Sequence, residues 1–555
     1  MAQQRQQGNF LGGYDNHGGS GTPLSSYADF VSGPRQLDRR NDRRTPSSNG
    51  AVKTVWKELD LGGMALRAIS APLFRYTFLT KLYINHNQLT QLPANLISAV
   101  PPELGLCSNL KELLLFDNRI TDLPPELGTL YQLESLGLEG NPLAGAPEGD
   151  PAEGWRACTD RPSPDRQWVS LDKDVRTDSP EILTVLNYNV LCPKYATPQK
   201  YSYCPSWALA WEYRRDIIIS ELTTLQPDIV CLQEVEAAQF DEFFKPKLQE
   251  VGYEGVFWTK SRARTMDEPE RRLVDGCATF YKSSVFRLEA QHLLEFQQSA
   301  LQRKDFKKVD DMFNRFMTKD NIVGFAVLKH RKLAGEPMML VANAHVHWDP
   351  EFTDVKMVQT MMLTEELAML ARKHAGVPAA TDDVGAGSEA HKVQLQMQQQ
   401  QKQFQKVTTL ICGDFNSKPD SGLYEFLSRG RLDKEHPDME RMEPYADYKR
   451  HAYASINELP LTNCTPTFSG TIDYIWYTTG TLIPTGLLGE LDEEWVRHAV
   501  GFPNSQIPSD HIPIMAEFKW KPMGNASAVP QHRIRLSTTG RKNWSNDAGR
   551  AQGLD

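Results

Sequence analysis

Apolar positions along this chain follow two different periods, and the change of period marks its main internal boundary. From Leu59 onward, leucines and isoleucines recur in short alternating blocks: Leu59-x-Leu61, Leu82-x-Ile84-x-x-Asn87, Leu113-x-Leu115-x-x-Asn118 and Leu136-x-Leu138-x-x-Asn141. Counting Met64 as the degenerate first member, the asparagine positions are separated by 23, 31 and 23 residues. The long step is the same unit with eight extra residues around Ser98 to Cys107. A single block cannot bury its own apolar edge, so the pattern predicts stacked coils with the leucines inside and each Asn bonding the turning backbone. The other side of the strands is expected to form an exposed concave surface.

This is the leucine-rich-repeat pattern, and it occupies residues 52–143. Beyond it the period changes. β-Branched or apolar strands are expected at Ile182 to Tyr188, Ile229 to Gln233, Ala278 to Tyr281, Met339 to Ala344, Thr408 to Cys412 and Asp473 to Tyr477. Helical patterns intervene at Trp211 to Leu225, Gln239 to Glu250 and Asp354 to His374. Such alternation over 181–522 predicts a layered α/β domain, so the fold class is α/β with an N-terminal solenoid. The Pro, Gly and Asp-rich stretch within 144–180 reads as a cap and linker. Residues 1–48 and 523–555 are polar and aperiodic and read as disordered, and 376–406, with its Gln-rich tract, reads as a mobile insertion.

A formal net charge of −9 excludes a protein that coats nucleic acid with a broad basic surface, although not one that cleaves it. Basic residues cluster at Lys260, Arg262, Arg264, Arg271 and Arg272, where a solvated loop is expected, compatible with phosphate steering. The eight cysteines are dispersed without a Cys-x-x-Cys pair, so reduced, mostly buried thiols are expected. There is no apolar run of transmembrane length, and Met1-Ala2-Gln3-Gln4-Arg5 opens a polar segment unlike a signal peptide. The expectation is a cytoplasmic and nuclear protein without membrane contact.

The candidate chemistry lies at strand ends, where sites assemble in α/β domains. Gly413-Asp414-Phe415-Asn416 delivers a carboxylate and an amide two residues apart, and Ser509-Asp510-His511 adds a second carboxylate and an imidazole. Asn189 closes one strand and Glu234 another. Asn343-Ala344-His345-Val346-His347-Trp348-Asp349-Pro350 follows a third. Together these are the parts needed for metal-assisted phosphodiester hydrolysis.

The order and wording of these motifs, with Gln233-Glu234-Val235, Val274-Asp275-Gly276-Cys277-Ala278, Ile472-Asp473-Tyr474-Ile475 and Ser509-Asp510-His511-Ile512-Pro513, resemble the endonuclease/exonuclease/phosphatase superfamily. The motif wording is similar to that of its deadenylase branch. With the repeats upstream, residues 50 to 522 resemble the repeat-bearing deadenylases that act as catalytic subunits of the CCR-NOT complex. The resemblance implies a four-layered α/β sandwich, two Mg²⁺ ions and removal of 5′-AMP from the 3′ end of single-stranded poly(A) RNA. It implies that Glu234 binds Mg²⁺, with Asn189 in contact with phosphate or the metal shell and Asp510 in the second metal shell. Hard oxygens suit Mg²⁺, and the scarcity of clustered Cys and His argues against zinc. Asp414 would position or deprotonate the attacking water, and Asn416 would hold a nonbridging oxygen. His511, oriented by Asp473, would donate to the phosphate; His345 would contact it too, with His347 in support. Phe468 and Pro350 match the residues that sandwich a nucleobase in that branch. The repeats would dock a DEDD-class deadenylase subunit of the complex.

Overall fold

The computed structural model describes residues 57–67, 73, 78–89, 109–121, 130, 132–133, 135–142 and 163–172. It also describes 179–521 apart from 202, 304–313, 375–406, 434, 440–452 and 456–458. The segments 1–48, 376–406 and 523–555 therefore lie outside the described residues.

The repeats form four short parallel strands, β1 (Glu58–Asp60), β2 (Lys81–Tyr83), β3 (Glu112–Leu114) and β4 (Ser135–Gly137), with Leu59, Leu82, Leu113 and Leu136 in register. Their leucines fill one core. Each asparagine ties its own coil to the one before it. Asn118 Nδ2 donates to Leu115 O at 2.9 Å and to Ile84 O at 3.1 Å, while its Oδ1 accepts from Leu89 N at 3.1 Å. Asn87 and Asn141 repeat the arrangement. A buried amide with all these bonds is cheaper than the backbone groups it would otherwise orphan.

The concave side is covered at its centre, while Glu58 and Asp60 of β1 stay exposed. Tyr83, Leu114 and Phe116 are buried beneath Leu191, Tyr201, Tyr203, Cys204, Ala208 and Leu209 of the following domain. Three large apolar side chains on one strand face would cost too much in water, and the segment 191–209 supplies matching aromatic surface.

The second domain begins within the expected linker. Strand β5 (Trp168–Ser170) pairs with the edge of a seven-stranded sheet, so part of 144–180 is catalytic-domain structure, anchored by Arg166 bonds to Gly489 O and Pro513 O. The chain continues through β6 (Ile182–Asn189), β7 (Ile229–Glu236), β8 (Tyr253–Thr259), β9 (Asp275–Lys282) and β10 (Phe286–Glu295). Next come β11 (Ile322–His330), β12 (Met338–His345), β13 (Thr408–Asp414) and β14 (Ala454–Ser455). A hairpin of β15 (Asn463–Thr465) and β16 (Phe468–Gly470) precedes β17 (Asp473–Tyr477), β18 (Leu482–Leu488) and β19 (Ile514–Trp520).

Two sheets result, of order β5-β18-β19-β6-β7-β9-β8 and β10-β11-β12-β13-β17-β14. Their inner faces share a core that includes Val185, Cys231, Val341, Cys412, Ile475 and Ile514. Helix α1 (Trp211–Leu225) and the helical run 237–250 cover the outside of the first sheet, and α2 (Thr353–His374) with α3 (Gly422–Arg429) covers the second. The expected four-layered α/β sandwich is the fold. Strands β8, β10, β11, β18 and β19 lie outside the expected ones; β11 is apolar almost throughout, so it shows no alternation by which to recognise a strand.

Replacing Asn118 by Leu strands the Leu89 amide and the carbonyls it served. The opening free energy there should fall by about 1–3 kcal/mol, roughly ten- to a hundredfold faster hydrogen exchange at Leu89 and Leu115. Unchanged exchange at both amides would show that the ladder does not hold the coils together.

Candidate active site

The register of three neighbouring strands brings the first three groups together. His345 ends β12 opposite Asp414, which ends β13, and Asp414 in turn faces Asp473 at the start of β17. Gly413 allows this spacing, since a Cβ there would lie 2.1 Å from the Ala344 carbonyl oxygen. The opposite sheet contributes Asn189 from the end of β6 and Glu234 from β7. Glu234 sits at a β-bulge between Gln233 and Val235 with φ of 59°, a left-handed conformation that turns its carboxylate out of the strand's alternation. Asp510 and His511 lie just before β19, and His511 bridges to Asn463 of the β15–β16 hairpin.

Asn189 joins the two sheets at the site. Its Nδ2 donates to Glu234 Oε1 at 3.2 Å and to Asp414 Oδ2 at 3.1 Å, and Glu234 Oε2 accepts from Cys192 N at 2.9 Å. Asp414 Oδ2 lies 3.6 Å from both His345 Nε2 and His511 Nε2. His511 Nδ1 donates to Asp473 Oδ2 at 2.7 Å, and Thr462 Oγ1 donates to the same oxygen at 2.7 Å. Asp510 Oδ1 is 4.0 Å from His511 Nε2, and Oδ2 accepts from Tyr201 at 2.7 Å. Asn416, with φ of 46°, receives its Nδ2 bond partner in Val346 O at 3.1 Å, leaving the second N–H for another acceptor. Lys356 Nζ donates to Asn416 O at 2.7 Å.

The two imidazoles are driven in opposite directions. Burial alone would lower His511, but Asp473, Asp414 and Asp510 outweigh it and push its pKa up to about 10. Burial and the nearby Lys260 lower His345 to about 4, against the pull of Asp414 and Asp275. His511 is therefore a cation at neutral pH and His345 is neutral. Burial raises Glu234, and Asp510 and Asp275 add to the rise while Lys260 opposes it. Burial likewise raises Asp414.

The site residues expected from sequence thus meet in one place, with two exceptions of position. Pro350 is exposed on the loop from β12 to α2. Phe468 is partly buried on its hairpin, with Lys418 Nζ 5.2 Å from the ring centroid. That hairpin is held beside the cluster, because Cys464 N donates to Asp510 O at 3.1 Å. His347 is packed below the site, its ring edge-on to Phe352 and its amide bonded to Gln359. The basic cluster is not a free phosphate-steering loop. Lys260 is buried 2.6 Å from Asp275; Arg262 pairs with Asp275 and Asp320, Arg264 with Glu295, Arg271 with Glu268 and Arg272 with Glu242. Tyr201, Thr462 and Lys356 escaped the sequence reading; only Lys356 left a trace, as a lysine in the apolar start of α2. The six described cysteines are buried and unpaired, as expected. Among the described residues no helix is long and apolar enough to cross a membrane.

The donor set fits a hard divalent cation. Ligand atoms of Asp414, Asp473 and His511 lie within 4.8 Å of one another. In that trio the His511–Asp473 pair is already satisfied internally, whereas Glu234 has its pKa raised by burial, with the crowding of Asp510 and Asp275 adding to the rise against Lys260. Such crowding is relieved by bound positive charge.

A model of the endonuclease/exonuclease/phosphatase family matches residues 186–511, and one for leucine-rich repeats in two copies matches 108–147. The chain belongs to the endonuclease/exonuclease/phosphatase family. It is 42% identical to the CCR4-Not complex 3′-5′-exoribonuclease subunit Ccr4 of Mycosarcoma maydis, across 90% of this chain and 80% of that one. The subunit of the same name from Schizosaccharomyces pombe is 40% identical, across 87% of this chain and 77% of its own. Among solved structures, ANGEL2, described as a 2′,3′-cyclic phosphatase, is 22% identical with a TM-score of 0.48, covering 64% of this chain and 98% of that one. The resemblance to repeat-bearing subunits of that complex is thus matched by relatives that cover 87–90% of this chain.

The charge on His511 makes stability depend on pH. Its ordinary pKa of 6.5 is raised in the fold, so its contribution is full below about pH 6.5 and is lost as pH climbs to about 10. In EDTA, the thermal midpoint should fall across that window, and His511→Gln should flatten the fall. An equal alkaline slope in both proteins would contradict the assignment.

Proposed function

We propose that this chain is a Mg²⁺-dependent 3′-to-5′ exoribonuclease that shortens mRNA poly(A) tails, releases 5′-AMP and works within a CCR-NOT deadenylase complex in cytoplasm and nucleus. One observation carries the reading: Asp414 stands between Asn189, His345 and a cationic His511 in a chain 40–42% identical to exoribonuclease subunits of that complex.

In this reading Glu234, with Asn189 and Asp510 nearby, would hold the two Mg²⁺ ions. When bound, these supply charge for the phosphate oxygens and acidify water. Asp414, raised by its burial, accepts a proton from the attacking water. Asn416 offers its free N–H to a nonbridging oxygen. His511, kept cationic and oriented by Asp473, donates to the phosphate as negative charge builds, and neutral His345 donates without adding charge. Phe468 and Pro350 stack on the terminal adenine, a mode that suits single-stranded RNA. The DEDD-class deadenylase subunit docks on the repeats. With the centre of the concave face covered, its footprint lies on the solenoid surface that stays exposed, and co-purification with full-length chain, lost on substitution of exposed repeat residues, tests this.

Purified protein should release AMP from oligo(A) with Mg²⁺ and not with EDTA. Glu234→Ala and Asp414→Ala should each cut turnover by roughly 10²-fold or more while the protein stays folded. Phe468→Ala should lower the ratio of turnover on A over U oligomers, since a stacked base is worth roughly 1–3 kcal/mol. Near-normal turnover by either carboxylate variant, or an unaltered A-to-U ratio, would sink the respective role.

A further inference from the structure

The leucine-rich repeats touch the catalytic domain through the segment that starts at the active site. Directly after Asn189, Leu191 takes a left-handed φ of 53°, and its amide returns to Asn189 Oδ1 at 3.0 Å. The chain then runs along the solenoid as far as Tyr213. Its Cys204 carbonyl accepts from His86 Nε2 at 2.8 Å, and Ser206 N donates to Asp117 Oδ2 at 2.6 Å. His86 Nδ1 lies 3.0 Å from the same Asp117 oxygen, so the two repeat residues form one clamp.

The backbone of the clamp is unusual. The residue before each recurring turn position is left-handed in all four coils, and it is Gly63 and Gly140 in the outer two, with φ of 67° and 68°. In the inner two it is His86 and Asp117, both at 53°. These side chains accept a conformation that disfavours them, and what they make in return is the contact with 204–206.

From the clamped segment, bonds lead back to the site. Tyr201 is fully buried, and its hydroxyl donates to Asp510 Oδ2 at 2.7 Å. Tyr203 bonds Phe502 O, and Tyr213 bonds Ser505 O at 2.5 Å. Arg214, also fully buried, donates to Leu191 O and Pro508 O, each at 3.0 Å, stapling the segment to the loop leading into Asp510 and His511.

We propose that the repeats form a structural wall of the catalytic site, and that Tyr201 is a positioning residue that carries their clamp to Asp510. The proposal rests on the reading of Asp510 and His511 as site residues. The repeats thereby set the geometry of hydrolysis as well as any docking, and loss of the clamp loosens the Asp510 loop without altering a residue that touches substrate.

The test uses full-length protein with His86→Gly and Asp117→Gly together, which place at both inner coils the residue the outer coils already use. A second variant, Tyr201→Phe, removes only the hydroxyl. Hydrogen exchange in the glycine pair should quicken across 192–213 and also at 509–512 and Cys464, whose amide bonds Asp510 O, while Leu89 and Leu115 stay protected. On oligo(A), both variants should lower kcat by about tenfold to a hundredfold, the scale of a displacement of up to 1 Å, with KM nearly unchanged. Their combination should lose less than the product of the two, because both act along one path. Exchange that quickens only at 192–213, or losses that multiply, would overturn the proposal, as would a Tyr201→Phe enzyme with wild-type kcat. A wild-type chain inactive on oligo(A) would refute the deadenylase reading instead, and the exchange pattern would still decide for or against the wall.

Discussion

Everything at the site depends on how two sheets are held in register, and a buried knot of amides between them does this. Gln233 Nε2 donates to Asn187 Oδ1 at 2.8 Å and to Asn343 Oδ1 at 2.7 Å, while Asn343 Nδ2 donates to Ala278 O at 2.8 Å. Strands β6, β7 and β9 of one sheet are thus joined to β12 of the other in an otherwise apolar interior. Apolar packing alone tolerates sliding, whereas a slip here would strand several buried polar groups at once. Two residues beyond Asn187 and Asn343 along their strands stand Asn189 and His345; one residue beyond Gln233 stands Glu234. The knot therefore lies directly under the catalytic cluster.

Charge is managed by confinement. The chain is acidic overall, and its basic cluster is spent on ion pairs, with Lys260 and Arg262 holding Asp275 well below the carboxylate range in spite of burial. That leaves a pocket of carboxylates around one cationic imidazole, a setting in which a bound divalent cation would favour a phosphodiester. Backbone strain is present in the same place: Leu191, Glu234 and Asn416 are all left-handed. Each is fixed by bonds from a different element, which is how a strained conformation persists.

The solenoid and the sandwich are consequently less separate than a modular reading suggests. The repeats bury their aromatic strand face against the catalytic domain, and the buried segment begins at Asn189.

How much of this was legible in the amino-acid order depends on the range of the interaction. Repeat spacing, the ladder asparagines, helix α1 from Trp211 to Leu225 and the strand-end motifs carrying Asn189, Glu234, His345, Asp414, Asp473 and His511 are local patterns, and periodicity with turn chemistry reveals them. The left-handed bulge at Glu234 leaves no such mark, because any residue follows Gln233 in a regular strand until the partner strand forces an extra one in. The different charge states of His345 and His511 depend on which carboxylates and which lysine other strands bring within reach. Tyr201 is one tyrosine among many until Asp510 closes over it, and the concave face looks exposed until 191–209 folds onto it. Sequence alone determined which elements and chemical groups exist; tertiary structure decided their charge, their strain and what covers them, because those properties arise only between segments distant in the chain.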